Sequence, residues 1–185
     1  MGGNKNLGEI SPQELGKLFP IFISEADANW PLIFQKEKER LIEALDSSDI
    51  LQIDHIGSTA VPGLAAKPTI DILIQIDSDC EMDKLTKNLY ALEYHCIPKP
   101  ENPPPGLMFV KGYTPEGFRG QAFHIHVRYG GDWHEIHFRD YLRKSPETAK
   151  AYAYLKRRLA DLFQNDRDGY TEAKTDFIQE ILCRL

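Results

Sequence analysis

Cysteine is scarce in this chain: Cys80, Cys96 and Cys183 are three among 185 residues, widely separated, odd in number and without a CxxC pair. That pattern argues against a disulfide framework and against a zinc–thiolate site, and it fits a reducing compartment. An excess of positive charge is missing as well. Lys and Arg number 22 against 28 Asp and Glu, a formal net charge of -6. Bulk nucleic-acid binding needs a basic footprint that this balance does not supply, whereas a small anionic ligand needs only a few local cations. No stretch approaches the ~18 apolar residues of a membrane span. Met1 to Leu7 holds no apolar run of the signal-peptide kind. The expected location is the cytoplasm, with no membrane partner. Repeats and low-complexity tracts are absent from the sequence.

What is present is a hydrophobic share of 42% and an aromatic share of 10%, enough for one sizeable core. Residues 1–185 therefore read as one domain, with residues 1–20 as an N-terminal helical extension. Ser11-Pro-Gln-Glu14 has the form of a capping box with proline at the first helical position, predicting a short helix to about Phe19, where Pro20 stops it. Ile21 to Ser24 reads as a short extended segment. Pro31 to Leu45 carries a helical apolar stripe of Ile33, Phe34, Leu41, Ile42 and Leu45. Leu51–Ile56 and Thr69–Ile76 read as strands, and Met82–Leu92 as a helix.

Residues 98–105 hold five prolines, which forbids helix or central strand and predicts a rim loop. Leu107–Tyr113, the turn Thr114-Pro-Glu-Gly117 and Gln121–Tyr129 read as a hairpin. Three helices follow: Asp132–Arg143, one capped by Ser145 and running to Phe163, and Gly169–Arg184. Strands in the middle with helices at both ends define a mixed α/β or α+β sheet domain.

Several groups of residues could do chemistry. Asp71 is a carboxylate inside an otherwise mostly apolar strand, sharing a face with Leu73 and Gln75 while Ile70, Ile72, Ile74 and Ile76 face the other way. It could hold a cation or a proton at a cleft, or it could be a buried acceptor for backbone N–H groups or for Lys67. Gly57 and Ser58 form a tight turn, and residues 58–64 could open a short helix whose N–H groups face a phosphate; a merely structural turn fits equally well. In Phe123-His-Ile-His-Val-Arg128, alternation puts His124, His126 and Arg128 on one face. Two imidazoles and a guanidinium there suit a metal and a phosphate, or form the polar face of an ordinary amphipathic strand. His134-Glu-Ile-His137 misses the HExxH spacing by one residue and reads as helix surface. Arg139 points either to the cleft or to Asp140 or Glu135. Tyr170 and Lys174 share a helix face, able to grip a base and a phosphate, or to serve as packing stripe and solvated charge. Lys156-Arg-Arg158 reads as a solvated helix face.

The run His55–Ile74 (HIGSTAVPGLAAKPTIDILI), with FHIHV from Phe123, HFRDYLRKSPETAKAYAYLKRRLA from His137 and YTEAKTDFI from Tyr170, resembles the GrpB family of bacterial proteins, over about residues 18–184. That family resembles a branch of the nucleotidyltransferase superfamily typified by DNA polymerase beta. The resemblance implies a nucleotidyltransferase-like small mixed sheet flanked by helices, with a helical C-terminal third. It implies that Gly57, Ser58, Thr59 and Lys67 bind phosphate, that Asp71 is a metal ligand, and that the partner is a nucleotide or other phosphorylated small molecule. The cofactor implied is a divalent metal: magnesium or manganese, with zinc as a further option.

The sequence departs from the superfamily pattern in two places. Leu73 stands where a second carboxylate is expected, and His126 or His124 stands where a later strand brings a third. Imidazole suits manganese, zinc or iron better than magnesium. The implied roles are then His124 and His126 as metal ligands or general base, and Arg128, Lys174 and Tyr170 as further contacts to the ligand. A possible metal-dependent nucleotidyltransferase is the first reading. A non-catalytic nucleotide or small-anion binding module and a His/Asp metal-dependent hydrolase are the alternatives.

Overall fold

A computed structural model of the protein describes residues 11–185. The expectations for Met1–Leu7, and for the first part of the 1–20 extension, lie outside those residues. Helix α1 (Pro12–Leu18) opens on the expected capping box. The Glu14 amide donates to Ser11 Oγ at 3.3 Å, and the Ser11 amide donates to the Glu14 carboxylate at 3.1 Å. The chain beyond Pro20 is extended as far as Ser24, which exchanges backbone hydrogen bonds of 2.9 and 3.0 Å with Ala66. Helix α2 (Trp30–Ala44) has Pro31 in its first turn, where its missing N–H costs nothing.

The remaining elements are β1 (Ile50–Ile56), a 3-10 turn (Ser58–Ala60), β2 (Thr69–Ile76), α3 (Met82–Ala91), β3 (His95–Pro98), β4 (Leu107–Thr114), β5 (Gly117–Tyr129), α4 (His134–Lys144), α5 (Pro146–Leu162), α6 (Arg167–Glu172) and α7 (Thr175–Leu182). They build a mixed α+β domain around a five-stranded sheet in the order β1-β2-β5-β4-β3. β2 pairs with β5 in parallel; the other three pairings are antiparallel. A parallel pair needs a long crossover, and residues 77–116 provide it. β2 is an interior strand because it is apolar on nearly every position: Ile70, Ile72, Ile74 and Ile76 are fully buried against α2 and α3. Each contributes roughly 1.5–3 kcal/mol relative to exposure.

Four expectations need correction. Residues 95–97, unassigned in the sequence, and Pro98, expected in the rim loop, form an edge strand, and the proline ends it where no further ladder donor is needed. The return strand begins at Gly117 rather than Gln121. The stretch after Ser58 is a three-residue 3-10 turn, not a helix to residue 64. The final helix is two helices, broken at Ala173 and Lys174. The break lets Tyr170 pack with Ile21, Leu159 and Ala160 while Phe177 stacks on Tyr152. No helix among the described residues is long and apolar enough to cross a membrane. All three cysteines are free thiols.

The core face of the sheet also holds a polar network that the sequence pattern conceals. Glu37 of α2 is only 4% exposed; it accepts from the Tyr94 hydroxyl at 2.9 Å and pairs with the Lys111 ammonium. Lys111 lies over the rings of Tyr94 and Phe123, at 4.5 and 4.9 Å from their centroids. Removing one partner of such a pair leaves the other charge buried and unmatched. Glu37→Ala is therefore expected to cost about 3–5 kcal/mol in denaturant unfolding, and Glu37→Ala with Lys111→Met together much less than either alone implies. Equal losses in the single and double variants would remove the network from the stability argument.

Candidate functional site

The sheet face opposite α2 and α3 carries the candidate site. In the parallel pairing Asp71 lies beside His124 and Leu73 beside His126, so the alternation of both strands brings one carboxylate and two imidazoles onto one surface. Asp71 Oδ1 is 3.2 Å from His124 Nδ1 and 4.0 Å from His126 Nε2. The potential ligand atoms of these three side chains all lie within 4.8 Å of one another, the one such grouping of three among the described residues. Burial raises the Asp71 carboxyl pKa, but hydrogen bonds and charge interaction with His124 and His126 lower it further, holding it well below the usual carboxylate range. Burial holds His124 below its ordinary value. An ionised carboxylate only accepts, so Asp71 fixes the proton of neutral His124 on Nδ1. His124 Nε2 is then free to accept from the Tyr113 hydroxyl at 2.7 Å.

Tyr113 reaches the site because the β4–β5 register slips between Lys111 and Tyr113. Gly112 makes the slip possible: its φ is +90°, and a Cβ there would lie 2.5 Å from the Gln121 carbonyl oxygen. Lys111 consequently faces the core while Tyr113 stacks on the His124 ring. Nothing in the spacing of residues 107–129 announces this, so Tyr113 was not legible.

The turn after β1 closes on Asp71. Gly57 has φ +70°, and a Cβ there would meet Asp71 Oδ2 at 2.5 Å; only glycine lets the backbone approach the carboxylate so closely. Ser58 is half-buried with the Tyr152 hydroxyl beside it. The Thr59 hydroxyl is committed to the scaffold: it donates to the Thr69 carbonyl at 3.1 Å and faces His55 Nε2 at 3.0 Å. His55 stacks on Phe34, and burial holds its pKa down at about 4. Two arginines of α4 pin the turn from outside. Arg139 donates to the His55 carbonyl and pairs with Asp54 and Asp140, and Arg143 donates twice to the Ala60 carbonyl at 3.0 and 2.8 Å.

Cations converge on the same carboxylate. Lys67 and Lys174 both lie against one aromatic group, 5.4 and 4.2 Å from the Tyr170 ring centroid. Lys156, expected on a solvated face, is 2% exposed; its ammonium donates to the Ala65 carbonyl at 2.5 Å and lies 4.8 Å from the Tyr152 ring. The helical spacing did contain this: Tyr152, Ala153, Leu159 and Ala160 form the buried stripe of α5, and Lys156 stands within it. Arg167 lies 5.7 Å over the Tyr113 ring. Burial, then the neighbouring cations, lower all three lysines: Lys67 to about 8, Lys156 and Lys174 to about 7, with Asp71 opposing the fall in each case.

Tyr170 is 1% exposed and covered by the two lysines, so it offers no open face to a base. Arg128 shares the face of His124 and His126 but is committed elsewhere. It donates to the Val127 carbonyl, pairs with Glu135 at 3.5 Å and lies over Trp133. Its Nε is the one buried side-chain polar atom without a partner among the described residues. His137 pairs with Asp132 on the surface of α4, apart from the Asp71 group. Beside that group a pocket of about 190 Å³ opens between Lys67, Thr69, Tyr113 and Arg167, with Phe22 and Phe118 among its other walls.

The profile of the GrpB protein family matches residues 20–184. A UPF0157 protein of Pseudomonas aeruginosa is 40% identical over 172 residues, covering 89% of this chain and 67% of its own length. The glutamate-rich protein GrpB of Alkalihalophilus pseudofirmus is 35% identical, over 85% of this chain and 91% of its own. The crystal structure of the conserved protein GrpB from Enterococcus faecalis superposes with a TM-score of 0.72 at 29% identity, covering 88% of this chain and 96% of that one.

The depressed lysines give the site a pH signature. Their folded pKa values of about 7 to 8 lie below the unfolded value near 10.4. The unfolded chain therefore binds more protons between those limits, and stability rises with pH through that window. Lys156→Met removes one such group. The melting temperature of the wild type minus that of the variant is expected to grow between pH 7 and about 9.5. A difference that stays constant across that range would show that Lys156 titrates normally.

Proposed function

The chain belongs to the GrpB family, and from that premise we propose that it binds a nucleotide or another phosphorylated small molecule with a divalent cation and transfers a nucleotidyl or phosphoryl group to a small acceptor. The observation that carries this reading is the grouping of Asp71, His124 and His126 within 4.8 Å of one another beside a pocket walled by Lys67 and Arg167, with Lys156 and Lys174 within electrostatic reach of the same carboxylate. Mutually repelling, partly desolvated ammonium groups are unfavourable in the free protein, and a polyanion relieves them.

Asp71, His124 and His126 are the residues that would hold the cation. Their donor set of one oxygen and two nitrogens fits manganese or zinc better than magnesium. A cation there would neutralise phosphate charge and polarise a phosphoryl oxygen. Lys67 and Lys174 hold the phosphates, with Tyr170 beneath them fixing their ammonium groups. Gly57 and Ser58 bring backbone close to the anion on the other side of Asp71. Without a cation, the Asp71–His124–Tyr113 chain holds a proton on His124 Nδ1 and leaves Nε2 to accept from the tyrosine hydroxyl; ligation through Nδ1 would displace that proton and make Nε2 the donor to Tyr113.

One observation favours a second reading. Leu73 is fully buried where a second carboxylate is expected, so β2 supplies a single anionic ligand. A binding module that keeps the cleft without transfer chemistry fits that arrangement, and binding and turnover must therefore be measured separately.

Thermal-shift measurements with nucleoside triphosphates and Mn²⁺, Mg²⁺ or Zn²⁺ test the site. A ligand at 100 times its Kd stabilises the folded state by about 2.7 kcal/mol, so the wild type is expected to melt several degrees higher. Asp71→Asn and His126→Ala are expected to lose that shift while melting within a few degrees of the wild type without ligand. A wild type that responds to no phosphorylated compound with any of the three metals sinks the reading. An Asp71→Asn variant that keeps the shift but loses several kcal/mol of stability makes the aspartate architectural.

A further inference from the structure

The pocket beside Asp71 has walls of two chemical kinds. Its polar lining comes from Lys67, Arg167 and the hydroxyl-bearing side chains of Thr69 and Tyr113. Its apolar lining includes two phenylalanines that folding has left out of the core: Phe22 is 48% exposed and Phe118 is 42% exposed. Phe118 is not loose. Its ring packs edge-on against Phe19 with centroids 5.0 Å apart and lies 5.2 Å from that of Tyr113. It is thus a braced aromatic surface, and a Cβ at Gly120 of the adjoining pocket wall would meet nothing within 4 Å. Such a surface beside cations matches a ligand that is flat and apolar at one end and anionic at the other.

We propose, resting on the phosphate reading above, that this pocket is the ring subsite of the same ligand. A planar aromatic ring stacks on Phe118, with Phe22 alongside, and the phosphates of that molecule reach Lys67 and Arg167. The ligand class is then a nucleotide, not a sugar phosphate or an inorganic polyphosphate. The volume agrees: about 190 Å³ leaves room for a one- or two-ring base. The covered ring of Tyr170 points the same way, because the buried tyrosine organises the lysines and leaves stacking to the exposed aromatics.

Titration calorimetry with Mn²⁺ tests this on wild type, Phe118→Ala and Phe22→Ala, using ATP, CTP and inorganic tripolyphosphate. The wild type is expected to bind the nucleotides more tightly than tripolyphosphate. Both variants are expected to weaken nucleotide binding about tenfold, in the range of one base–aromatic stack, and to leave tripolyphosphate affinity unchanged. Should Phe118→Ala fail to fold because Phe19 and Tyr113 lose their neighbour, Phe22→Ala carries the test. Tripolyphosphate bound as tightly as ATP and CTP, or nucleotide affinities unmoved by either variant, overturns the ring subsite and leaves the phosphate site standing. No binding of any of the three compounds overturns both.

Discussion

The parallel pairing of β2 with β5 is the constraint from which the site follows. It sets Asp71 against His124 and Leu73 against His126, and the two-residue period of a strand then points all the polar groups to one side of the sheet. The same period points Ile70, Ile72, Ile74, Phe123, Ile125 and Val127 to the other side, where α2 and α3 cover them. A slip of one residue would drive the carboxylate into that core and expose the isoleucines. The energy of the apolar face thus fixes the geometry of the polar one.

Around that register the chain assembles an electrostatic balance that is incomplete by itself. One ionised carboxylate faces two imidazoles and three lysines with lowered pKa values, with Arg167 nearby. An overall net charge of -6 conceals this local excess of cations, because the acidic residues are spread over solvated surfaces while the lysines are drawn inward. A ligand bringing negative charge and a cation suits such a site better than either alone, since each compensates a charge the other leaves unmatched. The arginines of α4 hold the turn at Gly57 to Ala60 rigid against the strands, which keeps the donors in place before any ligand arrives.

Much of this was legible. The capping box at Ser11, the strands at residues 51–56 and 69–76, the face shared by His124 and His126, and the anomaly of Asp71 all follow from local periodicity and from the cost of burying a charge. The edge strand at 95–98 was not, because four residues bounded by proline carry too little pattern. The burial of Lys156 follows from its place in the α5 stripe, although a lysine followed by two arginines has the composition of a solvated face. Glu37 and Lys111 are 74 residues apart, and Tyr113 arrives through a register slip; neither has a local signature.

The sequence by itself determined the elements, the sides of the strands and the residue types able to ligate or to bind anions. These depend on interactions within a few residues, where propensity and alternation act directly. Only the tertiary structure decided which of those residues meet. It brought Lys67, Lys156 and Lys174 from three distant parts of the chain to the neighbourhood of one carboxylate, turned Arg128 away toward Glu135, covered Tyr170 and left Phe118 open beside the cations. Those outcomes depend on how helices and strands far apart in the chain pack against each other, and packing is chosen by the whole core rather than by any one segment.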